Sequence, residues 1–282
     1  MHSITWSCIT KRTSRTKKRT YWERNIRCLG YGLLQLSAKA PEGITAILGN
    51  PGAGKSILIR MTALEQVPDD GHIAYTGIYD EPFLWKLGNA HRKISQATGL
   101  RHHLHYLPIR GRIATMQTVE NILLQAAQSK KWPQPRLLCR REIMQGGLAR
   151  YRHRPACTLM GSTWKKFMII RSRLLQPVFW LLDEPTYGLD PLGKQLLERA
   201  LQERPKNSVT VLSTTYDLKL AERADHLILL DNGICKQHGK KNLLIASIPE
   251  KTVTAWYKNM HTTCFNSHRP SLPGQIHPPP HP

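Results

Sequence analysis

The chain has 282 residues, 40% of them apolar, and carries 41 Lys and Arg against 19 Asp and Glu, a formal net charge of +22. A chain of this size buries most of its apolar surface in one substantial core, and no stretch reaches the roughly 18 uncharged apolar residues that a membrane-spanning helix requires. The charge excess raises attraction for nucleic acid, anionic lipid or polyphosphate without choosing among them.

Much of that excess is local. Lys11, Arg12, Arg15, Lys17, Lys18 and Arg19 precede the first acid, Glu23, so residues 1–20 read as a solvated, disordered basic leader. Ile4, Trp6 and Ile9 come before the charge, the reverse of a secretory signal. Cys8, Cys28, Cys139, Cys157, Cys235 and Cys264 include no C-x-x-C pair, which argues against a zinc ribbon or a small disulfide scaffold and fits a reducing, cytosolic setting. His102, His103 and His105 cluster without a matching Cys or carboxylate pattern and read as a polar loop. After about Ala246 the composition shifts, and residues 246–282 end in a Pro/His-rich tail unsuited to regular hydrogen-bonded structure.

Between these ends Ile44-Thr45-Ala46-Ile47-Leu48 predicts a short buried strand. Gly49-Asn50-Pro51-Gly52-Ala53-Gly54-Lys55-Ser56 follows, and then Ile57, Leu58, Met61 and Leu64 at helical spacing. In strand, glycine loop and helix order, G-x-x-x-x-G-K-[ST] turns backbone N–H groups inward at a helix N-terminus, where the partial positive charge favours phosphates. Lys55 would reach the β- and γ-phosphates and Ser56 would bind Mg²⁺. Thr118 can cap a helix whose apolar positions are Val119, Ile122, Leu123 and Ala126. Further on, Val178-Phe179-Trp180-Leu181-Leu182-Asp183-Glu184 reads as a parallel strand buried on both faces and ending in two acids. At that end of an α/β sheet Asp183 can hold Mg²⁺ through water, and Glu184 can orient or deprotonate an attacking water.

Leu181-Leu182-Asp183-Glu184-Pro185-Thr186 followed by Gly188-Leu189-Asp190-Pro191 resembles the Walker B and D-loop segment of ABC transporter ATP-binding domains. Pro41 to Gly49, Val211 to Thr214 and Ala224 to Gly233 extend the resemblance to about residues 20–245. It implies an α/β fold: a P-loop NTPase core of ABC type with an antiparallel β-subdomain and a helical subdomain over about residues 110–175, within an ATP-binding domain spanning 21–245. It also implies a homo- or heterodimer that sandwiches ATP and Mg²⁺, docked to a membrane permease subunit from another chain on the cytoplasmic face. An aromatic near the N-terminus should stack on adenine, with Tyr21 and Trp22 as candidates.

The chain departs from the family's pattern at three positions. The signature falls on Leu159-Met160-Gly161-Ser162-Thr163, which keeps a glycine but loses the first serine hydroxyl. The Q-loop position is Ile109 and the switch-histidine position is Thr215. These departures imply an ATPase that binds well and turns over slowly, whose transported substrate is set by the permease. Two alternative readings are a soluble ABC-type ATPase acting on nucleic acid or ribosomes, which the charge favours, and a decayed ATP-binding copy.

Overall fold

The computed structural model describes residues 1–16, 27–88 and 94–266. Its elements in chain order are β1 (Ser3–Thr16), β2 (Arg27–Pro41), β3 (Gly43–Leu48), α1 (Lys55–Thr62), β4 (Asp70–Thr76), β5 (Phe83–Trp85), α2 (Ile94–His103) and β6 (Leu104–Leu107). There follow α3 (Val119–Ser129), α4 (Pro135–Gln145), α5 (Gly161–Leu175), β7 (Phe179–Asp183), α6 (Pro191–Gln202), β8 (Val209–Thr214), α7 (Leu218–Ala221), β9 (His226–Asp231), β10 (Ile234–Lys240), α8 (Lys241–Ile245) and α9 (Val253–Asn266).

The strands form two sheets, an antiparallel one ordered β2-β1-β4-β5 and a six-stranded one ordered β10-β9-β3-β8-β7-β6. In the second, every pair from β9 to β6 is parallel and only the edge strand β10 is antiparallel. Strands covered on both faces must be apolar at every position, which is why β3 and β7 are unbroken hydrophobic runs. Their side chains alternate between two cores. Ala46, Leu48, Trp180, Leu182 and Leu212 pack under α3, α5 and α6. Ile47, Phe179, Leu181 and Val211 pack with α1 and the antiparallel sheet on the other face.

Two boundaries read from sequence are corrected. Residues 3–16 are not a disordered leader: β1 pairs with β2 from Ser3↔Pro41 to Thr16↔Arg27 and with β4 from Ser3↔Thr76, so it lies inside the sheet. Ile4, Trp6 and Ile9 are fully buried, and the Trp6 indole N–H donates to Thr62 Oγ1 at 2.9 Å, which ties this strand to α1. A bulge at Cys8, whose φ is 52°, shifts the register between Ser7 and Thr10 and breaks the simple alternation. Part of the basic charge is paired, since Lys11 Nζ lies 2.7 Å from Asp69 Oδ1. The tail is ordered well past 246: α9 buries Val253 and Trp256. The Glu222 carboxylate accepts the Val253 and Thr254 N–H groups at the start of α9. The Pro/His-rich stretch from 267 lies outside the described residues.

The span 119–175 is helical apart from short turns, and α3 begins at Thr118, whose Oγ1 accepts the Asn121 N–H at 3.3 Å. Val119, Ile122, Leu123 and Ala126 are the buried face, as their spacing predicts. Glu120 in the first turn takes a bidentate pair of bonds from Arg152. Arg173 of α5 joins Glu142 of α4 to Glu203 at the end of α6, fastening the helical layer to the core. No helix among the described residues is long and apolar enough to cross a membrane.

The histidine cluster is also resolved differently from a polar loop. His102 and His103 end α2, while His105 is buried in β6. A guanidinium can only donate, so Arg171 Nη1–H to His105 Nε2 at 3.2 Å leaves the imidazole proton on Nδ1, aimed at Ser172 Oγ 2.6 Å away. The Ser172 hydroxyl passes its own proton to Met168 O at 2.9 Å. Burial, reinforced by the Arg171 charge, pushes the His105 pKa down to about 3.

Trp6→Ala should destabilise the fold by about 3–5 kcal/mol, as loss of a buried aromatic does, and deletion of residues 1–12 should prevent cooperative folding, whereas truncation after 266 should not; denaturant melts check all three. Between pH 6.5 and 3 the unfolded chain binds a proton at His105 that the folded chain refuses, so its stabilising contribution is complete above 6.5 and lost as pH falls, at about 1.4 kcal/mol per pH unit. Thermal melts from pH 7 to 5 should therefore fall less steeply for His105→Asn than for the parent.

Candidate functional site

The site lies where β3, β7 and β8 end. β8 sits between the other two in the sheet, so the loops leaving β3 and β7 open side by side at the carboxyl edge, where open α/β sheets bind ligands. The loop Gly49 to Gly54 needs its glycines. Gly54 has φ 99°, and a Cβ there would fall 2.4 Å from Gly32 O; at Gly49 one would fall 2.3 Å from Leu230 O. Lys55 opens α1 and is buried, its Nζ donating to Gly49 O at 2.7 Å and Asn50 O at 3.1 Å. Burial lowers the Lys55 pKa, against the opposing pull of Glu184 and Asp183. Pro51, Gly52 and Ala53 complete the turn, closed by the Ala53 N–H to Asn50 O at 3.1 Å. Tyr257 of α9 reaches the same loop, with its hydroxyl 3.4 Å from Asn50 Oδ1.

Ser56 and Asp183 meet. The Ser56 hydroxyl donates to Asp183 Oδ1 at 3.0 Å, and the Ser213 hydroxyl donates to the same oxygen at 2.7 Å. Glu184 follows in the left-handed region, φ 44°, which costs a non-glycine residue about 1–2 kcal/mol. Its N–H is held by Ser213 O and Oγ at 3.2 and 3.3 Å, and its carboxylate accepts a short hydrogen bond from the Thr215 hydroxyl. Thr215 is therefore in contact with Glu184, through a hydroxyl that carries no titratable charge near neutral pH.

The start of α5 and the N-terminus of α6 also come together. Leu159 is buried, while Met160 stands 65% exposed at the N-cap of α5, where it supplies no side-chain acceptor. Gly161 turns the chain with φ 55°. Ser162 Oγ accepts the Asp190 N–H at 3.2 Å. Asp190 caps α6 through the Gly193 N–H at 2.7 Å and takes Lys166 Nζ at 2.8 Å, a bond that holds its carboxyl below the usual range. Ile109 sits on the bend after β6 and lines a cavity of about 230 Å³ with Met160, Gly161, Trp164 and Tyr187. Ile109 and Met160 thus share one cavity, and Thr215 touches Glu184. Tyr21 and Trp22 lie outside the described residues.

Sequence reading missed Ser213, Lys165 and Lys166. Lys165 is buried, with its Nζ 2.9 Å from Glu184 O, 2.7 Å from Tyr187 O and 3.5 Å from Pro185 O. The available signal was two adjacent lysines in a segment whose other positions are mostly apolar: such cations are buried only against acceptors.

The ABC transporter family pattern matches residues 34–187. The thiamine import ATP-binding protein ThiQ of Vibrio vulnificus is 30% identical over 210 residues, covering 74% of this chain and 83% of ThiQ. The macrolide export ATP-binding/permease protein MacB of Chlorobaculum tepidum is 26% identical over 75% of this chain, which spans only 33% of MacB. Among solved structures, the ATP-binding cassette MJ0796, in a dimeric post-hydrolysis state bound to ADP and Pi, superposes with a TM-score of 0.62 at 18% identity, covering 84% of this chain and 98% of that one. With the phosphate loop, the acid pair and the D-loop assembled at one edge of the sheet, the chain belongs to the ABC transporter family, as an ATP-binding domain.

Proposed function

We propose that this chain binds Mg-ATP in the loop Gly49 to Ser56 and transmits that binding, with slow hydrolysis, to a membrane permease made as a separate chain, against which it lies on the cytoplasmic face. The observation that carries this is the 3.0 Å bond between Ser56 and Asp183, which joins two halves of a nucleotide site 127 residues apart in sequence. One hydroxyl and one carboxylate oxygen at that junction fit Mg²⁺, a hard cation that takes oxygen ligands, and Ser56 and Asp183 would hold it. When bound, the ion offsets charge on the phosphate oxygens.

The chain's own residues then divide the work. Lys55 exchanges its loop carbonyls for the β- and γ-phosphates, and the loop N–H groups and the α1 N-terminus take the remaining phosphate charge. Glu184 orients the attacking water and accepts its proton, and Thr215 holds the Glu184 carboxylate in place. Tyr21 or Trp22 stacks on adenine. The exposed Met160 meets the ATP of a second ATP-binding domain, in a homo- or heterodimer like that of the MJ0796 cassette. Beside Glu184 an open cavity of about 900 Å³, rimmed by Tyr187 and the 78% exposed Tyr216, leaves the room that such a partner covers. The relatives are named for import in one case and export in the other, so neither cargo is carried over to this chain.

Saturating Mg-ATP, at about 100 times Kd, should stabilise the folded chain by about 2.7 kcal/mol through mass action. Lys55→Ala should lose most of that gain in a thermal melt; equal stabilisation of both proteins would remove the reading.

Turnover should be slow, because removing one preorganised polar group from such a site costs about 10²–10³ in rate. Ile109 and Thr215 act on this chain's own ATP and Met160 on the partner's, so a heterodimer with an intact partner should hydrolyse mainly at the partner's ATP. In phosphate-release assays the combined Ile109→Gln, Thr215→His and Met160→Ser variant should exceed the parent. A parent already working at ordinary family rates, with activity abolished by Glu184→Gln, would show that these positions do not limit it.

A further inference from the structure

Glu184 occupies a backbone conformation that an L-residue does not favour, with φ 44°. Something outside the strand must hold it there, and the bonds that do so come from two directions. From β8, Ser213 accepts the Glu184 N–H. From α5, the Lys165 ammonium donates to three carbonyls of the turn, those of Glu184, Pro185 and Tyr187. Lys165 is buried and its Nζ lies 5.7 Å from the centroid of the Tyr187 ring, so the ammonium is enclosed by the turn on one side and an aromatic face on the other. Its neighbour Lys166 fastens the same loop two turns of chain later, at Asp190.

We propose that Lys165 is a positioning residue for ATP hydrolysis: it pins the turn Glu184-Pro185-Thr186-Tyr187 from the signature helix and thereby fixes where the Glu184 carboxylate stands. This rests on the reading of Glu184 as the group that handles the attacking water. Three features separate the role from plain core packing. All three contacts are polar and all go to the turn that carries Glu184. The Nζ has its donors committed to carbonyls and so does not serve as a second phosphate-binding lysine. The helix supplying it begins at Gly161, so a displacement of the signature segment reaches Glu184 through one side chain. Loss of the ammonium frees the turn to relax from its left-handed conformation, which moves the carboxylate without touching Lys55, Ser56 or the phosphate loop.

The test uses the full chain with γ-labelled Mg-ATP under single-turnover conditions, with binding measured separately by thermal stabilisation. Lys165→Met should lower the hydrolysis rate about 10²-fold, the scale of a misplaced reacting group, while ATP Kd stays within about twofold. Lys165→Arg, which keeps a cation and several donors, should recover at least about tenfold of that loss. In a Glu184→Gln background Lys165→Met should have no further effect, since a residue acting through Glu184 cannot act twice. If Lys165→Met does not fold by circular dichroism, Lys165→Gln, which retains one donor group, takes its place and should show an intermediate loss. A loss of binding in step with rate, an unchanged rate, or a full additional loss on top of Glu184→Gln would overturn the proposal. Should Glu184→Gln itself leave hydrolysis unchanged, the reading of Glu184 falls; should it abolish hydrolysis while Lys165→Met is silent, only the role of Lys165 falls.

Discussion

The rest of the site depends on one carboxylate oxygen that receives two hydroxyls. Asp183 Oδ1 accepts one hydrogen bond from the Ser56 hydroxyl of α1 and another from the Ser213 hydroxyl of β8. Because β8 separates β3 from β7, the phosphate loop and the acid pair leave the sheet about two strand spacings apart, roughly 10 Å. Backbone pairing alone would leave them as neighbours across a gap. The two hydroxyls close it: one from the helix beyond β3, the other from the strand between, and both converge on the residue that ends β7. The third consequence falls on Glu184, whose N–H is taken by the same serine, so the strand that spaces the two loops also sets the conformation of the next residue.

How much of this was legible in the sequence follows from where each piece gets its stability. The phosphate loop, the acid pair and the cap at Thr118 are local devices: a glycine that must turn, a strand end, a side chain that bonds three residues along. They could be placed by number. β1 could not, because one of its partners, β4, is distant in sequence and Lys11 and Arg12 within it belong to the basic run that suggested a free leader. Ile4 and Trp6 do alternate as a half-buried strand should, but the bulge at Cys8 interrupts the period before Ile9 and hides the continuation. α9 was obscured in the same way, by a composition shift that begins before the helix and reflects the stretch after it. Lys165 is the clearest case: nothing in its neighbours predicts that its acceptors are three carbonyls some twenty residues downstream.

Thr215, Met160 and Ile109 are not equivalent in the folded chain. The Thr215 hydroxyl is bonded to the Glu184 carboxylate. Met160 and Ile109 present apolar surface around one cavity, with Trp164 against Gly111 on its wall. Polar bonds gather instead on the side of α5 that faces Asp190, where Ser162, Lys166 and the α6 cap are bonded to one another.

The charges within the site support the same division. Lys55 and Lys165 are buried near Asp183 and Glu184, two cations and two carboxylates, so the protein brings no large imbalance of its own to the phosphates. Burial lowers both lysines, Lys165 to about 8, and the acids oppose it in each case. Yet the two differ in what a bound anion can do for them. Lys55 bonds only to two carbonyls of a loop that is itself the phosphate cradle, so phosphate oxygens can replace them and restore the charge that burial disfavours. Lys165 is held by carbonyls that belong to the Glu184 turn and has nothing to gain by leaving them. One lysine is thus stabilised by ligand and the other by fold, which is why phosphate affinity should follow Lys55 while the placement of Glu184 is already fixed before any nucleotide arrives.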